Sequence, residues 1–516
     1  MHYLTILTDD IPAVHQAIQT EFRLGELVQI APLTDTSPDV ATLLVSGGTI
    51  QLPFDWSDNL PPVLLPRPLP FSPENLLSVV FMRLDNWEKA YEYARHGGAP
   101  HGGARHGGDN PLLTDAIDLT NRLQAGVLQV APARPIDGTS TFDTYQRWHN
   151  RAVALHYGNL ETDAAKDDVA EAYQLALRYA PDAECRAYTT KQYATLLLDT
   201  GQLTEANNVL AMVNVPELSS ASGLLDYRYE LLAVQYAVWL QQLVIPYDAS
   251  LLEQTKTALW HVLEYYEARQ RPIQVGLLLV DSAQVANFTN SFAEALGYIS
   301  RALTIFRDED VPELLANAQY RKGVLLYTWA QNGNPQFYRP AMEAYQAALK
   351  VFTQQNAPAI FAEIQHHLGV IFAEIPDEVK KKSIWAAVSS SSFQQAMAYF
   401  NREEFPYEYA TICNHYANAL TKYPPAAKSD NYAKAIGYYR DALRVRTADT
   451  YPYERALTIL NYLESGWYVG EDDPQNQRAL YNDMVRKASE VRLLVADEAL
   501  LREADQHLQR LGELII

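Results

Sequence analysis

The residues that could carry chemistry in this chain are few and widely spaced. His-Gly-Gly recurs at His96, His101 and His106 within the run Arg95 to Gly108, and several imidazoles in one short tract can form a metal site. Excising residues 96–105 leaves Ala-Arg-His-Gly-Gly-Asp-Asn, an ordinary turn between two helices, so a short duplication enlarging a tolerant loop is the better reading. His366-His367 is a second candidate for a ligand pair. Adjacent helical residues point about a hundred degrees apart, which favours a satisfied or exposed pair. Arg307-Asp308-Glu309-Asp310 lacks the alternating acids and the glycine of a calcium loop, and Glu471-Asp472-Asp473 is likewise an acidic turn. Lys380-Lys381-Lys382, beside Ser389 to Ser392, could meet a phosphate or an acidic partner, but reads first as a solvated loop in an irregular insert. Gly47-Gly48 has no Lys-Ser/Thr after it and is turn chemistry. There is no Walker motif, Gly-x-Ser-x-Gly, His-Glu-x-x-His or Cys-x-x-Cys. Cys185 and Cys413 sit far apart inside helical patterns, as buried free thiols do. The expectation is therefore no catalytic residue, no metal and no cofactor, with a small molecule disfavoured as ligand.

The strongest binding pattern is a polar stripe. Thr411, Asn414, Asn418 and Thr421 recur at steps of three, four and three, on one face of a helix starting at Pro406. Ala410, Cys413, Ala417 and Leu420 form the opposite, buried face. Side-chain amides both donate and accept, which suits them to an extended backbone. A merely solvated stripe would show the same spacing.

The elements that position these residues are mainly helical. Apolar residues make up 48% of the 516 residues, ample for a packed chain, and Tyr outnumbers Phe by 33 to 15. Tyrosine packs between helices while its hydroxyl reaches water. The formal charge of −21 argues against sequence-independent nucleic-acid binding. No apolar run approaches the ~20 residues of a membrane helix, and Met1-His2-Tyr3-Leu4-Thr5 lacks the basic start of a signal peptide. A cytoplasmic location is expected.

Residues 1–52 read as a small α/β module. Tyr3 to Leu7 alternates like a strand, Asp9-Asp10-Ile11-Pro12 opens a helix burying Val14, Ala17 and Ile18, and Leu27 to Ile30 and Val40 to Val45 are β-type runs. Ser46-Gly47-Gly48-Thr49 is spaced as a hairpin. Residues 53–73 hold seven prolines and are expected to run extended over the surface, packed on the first helices through Phe54, Trp56 and Leu64. Helical periodicity begins at Glu74 and continues almost to the end.

Self-similarity organises that helical part. Ala194 and Ala206 stand twelve residues apart around Gly201, and Ala283 to Ala295 repeats the step. Pro312, Pro358, Pro406 and Pro452 recur at intervals of 46, 48 and 46 residues, each followed four residues later by Ala316, Ala362, Ala410 or Ala456. Proline at a helix start loses nothing by lacking an N–H. From Gly323 to Ala341, and from Ala417 to Ala435, the small-residue step lengthens to eighteen.

These residues resemble the tetratricopeptide repeat family across 187–495, with weaker likeness over 74–186. Tyr439 to Thr447 followed by Tyr451 to Ala456 looks like the long-turn repeats of large bacterial proteins. The resemblance implies a right-handed α-solenoid, with Ala499, Leu500, Leu508, Leu511 and Leu514 on a capping helix over 496–516. In the family, the fifth and ninth positions of the first helix line a concave groove, and Asn414 and Asn418 occupy them. Asn418 and Asn461 match amide positions of clamps that hold a peptide carboxylate, while Asn414 stands where those clamps carry lysine. The implied function is a non-enzymatic scaffold or adaptor whose groove binds a peptide or protein through Thr411, Asn414, Asn418, Thr421 and Asn461. The alternatives are a sensor subunit controlling a separate effector enzyme, and an enzyme with its site in the N-terminal module.

Overall fold

In the computed structural model, the described residues are 4–33, 42–52, 54–56, 61–96, 111–126, 140–158, 163–213, 227–243, 247–376, 379–425, 430–470 and 473–514. They form an α-helical solenoid of stacked helix pairs with a small α/β module, and the chain divides into two compact units, Met1–Tyr265 and Tyr266–Ile516. Unit 1 opens with strands β1 (Leu4–Thr8), β2 (Val28–Pro32), β3 (Thr42–Ser46), β4 (Thr49–Gln51) and β5 (Leu69–Pro70), in spatial order β2-β1-β3-β4-β5. β1 runs parallel to β2 and β3, whereas β4 pairs antiparallel with β3 and β5. The β3–β4 turn needs two left-handed residues, and Gly47 (φ 56°) and Gly48 (φ 72°) supply them. Helix α1 (Ile11–Gln19) starts where the Asp10 carboxylate accepts from the Ala13 amide at 3.1 Å, and it buries Val14, Ala17 and Ile18 on the sheet. The same core continues through Leu76, Val80, Leu113 and Ile117 of α2 (Pro73–Arg83) and α4 (Pro111–Gln124), with α3 (Trp87–His96) between them.

A second core in unit 1 joins α5 (Thr141–Gly158), α6 (Asp163–Tyr179), α7 (Ala183–Asp199), α8 (Leu203–Met212) and α9 (Tyr227–Gln242). Phe54, Trp56 and Leu64 of the proline-rich segment belong to it. The expected packing through these three residues is observed, but they are buried inside the fold, because their rings and chain carbonyls find partners on the helices. Helix α10 (Ala249–Ala268) follows.

Unit 2 is built from consecutive helix pairs: α11 (Pro272–Phe288) with α12 (Phe292–Asp308), α13 (Pro312–Gln331) with α14 (Tyr338–Ala348), α15 (Pro358–Glu374) with α16 (Val379–Tyr399), α17 (Pro406–Lys422) with α18 (Asn431–Val445), and α19 (Pro452–Gly466) with α20 (Pro474–Leu494), closed by α21 (Glu498–Gly512). All four recurring prolines open a first helix, and Pro272 opens another. The small residues sit where the helices of a pair touch. A methyl group added at Gly323 would lie 2.6 Å from the Tyr345 ring, and one at Gly369 would lie 2.9 Å from the Phe393 ring. Ala417 and Ala435 are fully buried at the corresponding contact of the α17–α18 pair. Ser389 to Ser392, expected in an irregular insert, lie in the middle of α16. Helix is possible there because the Ser389 hydroxyl bonds the Gly369 carbonyl of α15 at 2.5 Å, and so need not unwind its own turn. No helix among the described residues is long and apolar enough to cross a membrane.

Candidate functional site

The polar stripe lies on α17, a first helix of unit 2, but its members differ in what they already hold. The Asn418 Oδ1 accepts from the Tyr439 hydroxyl of α18 at 2.6 Å, and the Thr421 hydroxyl donates to the Asn418 carbonyl at 2.7 Å. Both are engaged within their own helix pair. The Thr411 hydroxyl donates to the Tyr407 carbonyl at 3.0 Å and accepts from Arg446 at 3.1 Å. Asn414 is only 8% exposed, and its Oδ1 has no hydrogen-bond partner. Asn461, half-buried on α19, makes no side-chain hydrogen bond among the described residues. Geometry thus singles out Asn414 and Asn461 as the amides with bonds to give.

Two features beside them escaped sequence reasoning. Arg446, at the end of α18, is 6% exposed and spans α17 and α19 by donating to Thr411 and, at 2.7 Å, to Thr458. Its Nε is buried without a partner, and burial lowers its pKa. The second feature is a row of imidazoles. His366 of α15 and His415 of α17 share a hydrogen bond at 2.8 Å, so one of the two nitrogens carries the proton and the other accepts. His367 bonds the Tyr345 hydroxyl at 2.9 Å. The His366-His367 pair is satisfied, one ring toward each neighbouring helix. Removal from water pulls His367 and His415 down to about 4 and His366 well below its ordinary value. Counting from Pro358 and Pro406 would have aligned His367 with His415; only the fold shows that His366 reaches across. No group of three or more His, Cys, Asp or Glu among the described residues is placed to hold a metal. Both cysteines are buried, and desolvation pushes each thiol to about 12. The His-Gly-Gly loop, apart from His96, and Glu471-Asp472 lie outside the described residues.

Unit 1 presents the equivalent positions with something already on them. Three residues before the small Ala152, Ala194 and Ala233 stand His149, Lys191 and Glu230; three before Gly323, Gly369 and Ala417 stand Tyr320, His366 and Asn414. In unit 1, His149 and Lys191 at these positions, with polar neighbours on the same helices, grip the proline-rich segment by its backbone. The Asn150 amide both accepts from the Leu64 N–H (2.7 Å) and donates to the Leu64 carbonyl (2.9 Å), which Gln146 also meets at 2.9 Å. His149 Nε2 lies 2.8 Å from the Pro62 carbonyl and Nδ1 lies 2.8 Å from the Thr189 hydroxyl. A carbonyl can only accept, so Nε2 carries the proton; burial lowers this imidazole to about 4 and keeps it neutral, leaving Nδ1 to accept from Thr189. The Tyr188 hydroxyl and the Lys191 ammonium each donate, at 3.3 Å, to the carbonyls of Asp55 and Trp56 respectively. Lys191 also pairs with Glu230 at 3.3 Å, both nearly fully buried. Phe54 stacks on Tyr188 with centroids 4.6 Å apart, and Trp56 stacks on Tyr227 at 6.2 Å.

No protein-family model matches the chain, and no curated protein matches it. Among solved structures it is similar to a signal transduction ATPase with numerous domains from Pyrococcus horikoshii that carries a tetratricopeptide repeat sensor: 13% identity over 98% of this chain and 82% of that one, with a TM-score of 0.48. The tetratricopeptide domain of P58(IPK) aligns at 12% identity, covering 85% of this chain and 97% of that one with a TM-score of 0.23. A circular tandem repeat protein aligns at 13% identity over 85% and 94%, with a TM-score of 0.18. These neighbours are repeat proteins, and at such identity and overlap the repeat reading rests on this chain's own helix pairs.

Proposed function

We propose that this protein is a non-catalytic binding protein whose unit 2 holds an extended segment of a partner protein along the face of its first helices. One observation carries the reading: the positions that grip an extended backbone in unit 1 bear, in unit 2, an amide that is buried and unpartnered at Asn414. A buried acceptor without a bond costs about 1–3 kcal/mol, and a ligand N–H placed there removes that cost. Asn461 stands at the place on α19 that Asn150 holds on α5, and can likewise bond a ligand N–H and C=O together. Thr411, Asn418 and Thr421, bonded within the repeats, form the rim and hold Arg446 and Tyr439 in place. Recognition is by main chain, so the partner is defined by an extended shape before it is defined by sequence.

The test is selection of random linear peptides on the full chain by phage display, followed by titration of the selected peptides. Asn414→Ala with Asn461→Ala should weaken them about tenfold, since each bond is worth roughly 0.5–1.5 kcal/mol, while the helical circular dichroism stays unchanged. Equal affinity for the double variant and the natural protein removes this face as the binding site.

A further inference from the structure

Residues 54–56 and 61–65 of unit 1, the strap, are held unlike an ordinary core segment. An apolar strap needs side-chain packing alone, yet this one is gripped through four carbonyls and one amide by Gln146, His149, Asn150, Tyr188 and Lys191. All of these lie on α5 and α7, and each is polar, buried or half-buried, and turned to the strap's backbone. Lys191 and Glu230 are the costliest members. Replacing a buried ion pair by apolar residues is often neutral or stabilising, so a pair that spends one donor on the Trp56 carbonyl is a recognition device more than a source of stability.

The strap also leaves bonds unmade. Gln146 is 1% exposed and its Oε1 has no partner; Gln192 stands on α7 where Asn150 stands on α5, is buried, and has an idle Nε2. One idle acceptor and one idle donor therefore lie on the gripping face while the strap is bound. A segment bearing Pro61 and Pro62 has no N–H at those residues and is pre-extended, so it loses little freedom on docking. Its two anchors are rings, Phe54 on Tyr188 and Trp56 on Tyr227.

From this arrangement we infer that the face of α5, α7 and α9 is a second peptide-binding site, filled in cis by residues 54–56 and 61–65, which act as a releasable internal ligand. The ligand it takes in trans is of the same chemistry: an extended, proline-bearing peptide with two aromatic anchors one residue apart. This site stands whether or not unit 2 takes a partner.

The probe is a labelled synthetic peptide carrying residues 53–66 of this chain. The full chain should bind it weakly, and the full chain carrying Phe54→Ala and Trp56→Ala should bind it at least tenfold more tightly. A peptide with the same two substitutions should not bind. If the folded double variant shows no gain in affinity, the strap is a fixed part of the core and the inference falls. Hydrogen exchange of the natural chain gives a second reading that needs no variant. The strap amides around Leu64 should exchange at least tenfold faster than those of α5 and α7, because release precedes unfolding. Exchange of strap and helices at one common rate would overturn the inference even if the variant fails to fold.

Discussion

The first-helix faces of the two units are built on the same positions and carry opposite solutions. In unit 1 the face is occupied: every gripping side chain from Gln146 to Lys191 ends on the strap. In unit 2 the same rows are linked to one another, by His366 to His415 and by Arg446 to the two threonines, and Asn414 is left over. The difference teaches that helix-pair packing and ligand grip are separate layers of this sequence. The small residues set the first and are shared, with an opening proline added on the first helices of unit 2; the polar residues around each small one set the second and are free to diverge.

The largest expected effect separates the layers most sharply. Glu230→Ala takes from buried Lys191 its Glu230 counter-charge, and breaking a buried pair in this way costs about 3–5 kcal/mol. Denaturant titration should show unit 1 destabilised, and Lys191→Met in the same chain should recover most of the loss. If Glu230→Ala alone is silent, the pair is not buried as described. Acid comes next and acts on both units. His149, His156, His367 and His415 are held neutral to about pH 4, whereas the unfolded chain protonates near 6.5. Stability should be full above about pH 6.5 and fall as the pH drops toward 4, since protons then favour the unfolded state. A melting temperature flat across that window would refute it.

Smaller effects test single contacts. Ala417→Leu should destabilise unit 2 by about 1–3 kcal/mol through overpacking against α18, with the imidazole row untouched. Asn150→Ala removes both bonds to Leu64 and should cost about 1–3 kcal/mol, read as faster exchange of the strap with helix content unchanged. Asn414→Ala should be the mildest, because removing an unbonded buried acceptor offsets the packing that is lost with the side chain. A large loss there would mean that the amide is structural.

Much of the first layer was legible in the residues. Pro312, Pro358, Pro406 and Pro452 open helices as their spacing requires, Gly47-Gly48 makes the hairpin, and Phe54, Trp56 and Leu64 anchor the linker. Pro272 begins the same type of helix but is followed by Gly276 instead of alanine, which hid it from the pattern. Four serines and three lysines outweighed helical periodicity over α16, because whether a serine breaks a helix depends on the carbonyl it finds, and Ser389 finds one on α15. The second layer was legible only as a stripe. Spacing places Asn414 and Asn418 on one face and cannot tell that Tyr439 already occupies Asn418. Gln146, Asn150 and Lys191 gave no signal at all, since a polar residue on a helix reads as solvated until the fold covers it.

The tether of the strap sets a threshold. Because the strap belongs to the same chain, the face of α5, α7 and α9 meets it at an effective concentration on the order of millimolar, the range of short linkers. A competitor in solution is weakened by the ratio of that concentration to the strap's own dissociation constant. A strap that grips with a constant of about 10 μM would thus hold off a rival of equal intrinsic affinity by about a hundredfold. Such a site ignores stray peptides of the right shape and answers to segments delivered in high local number, as in a cluster or an array.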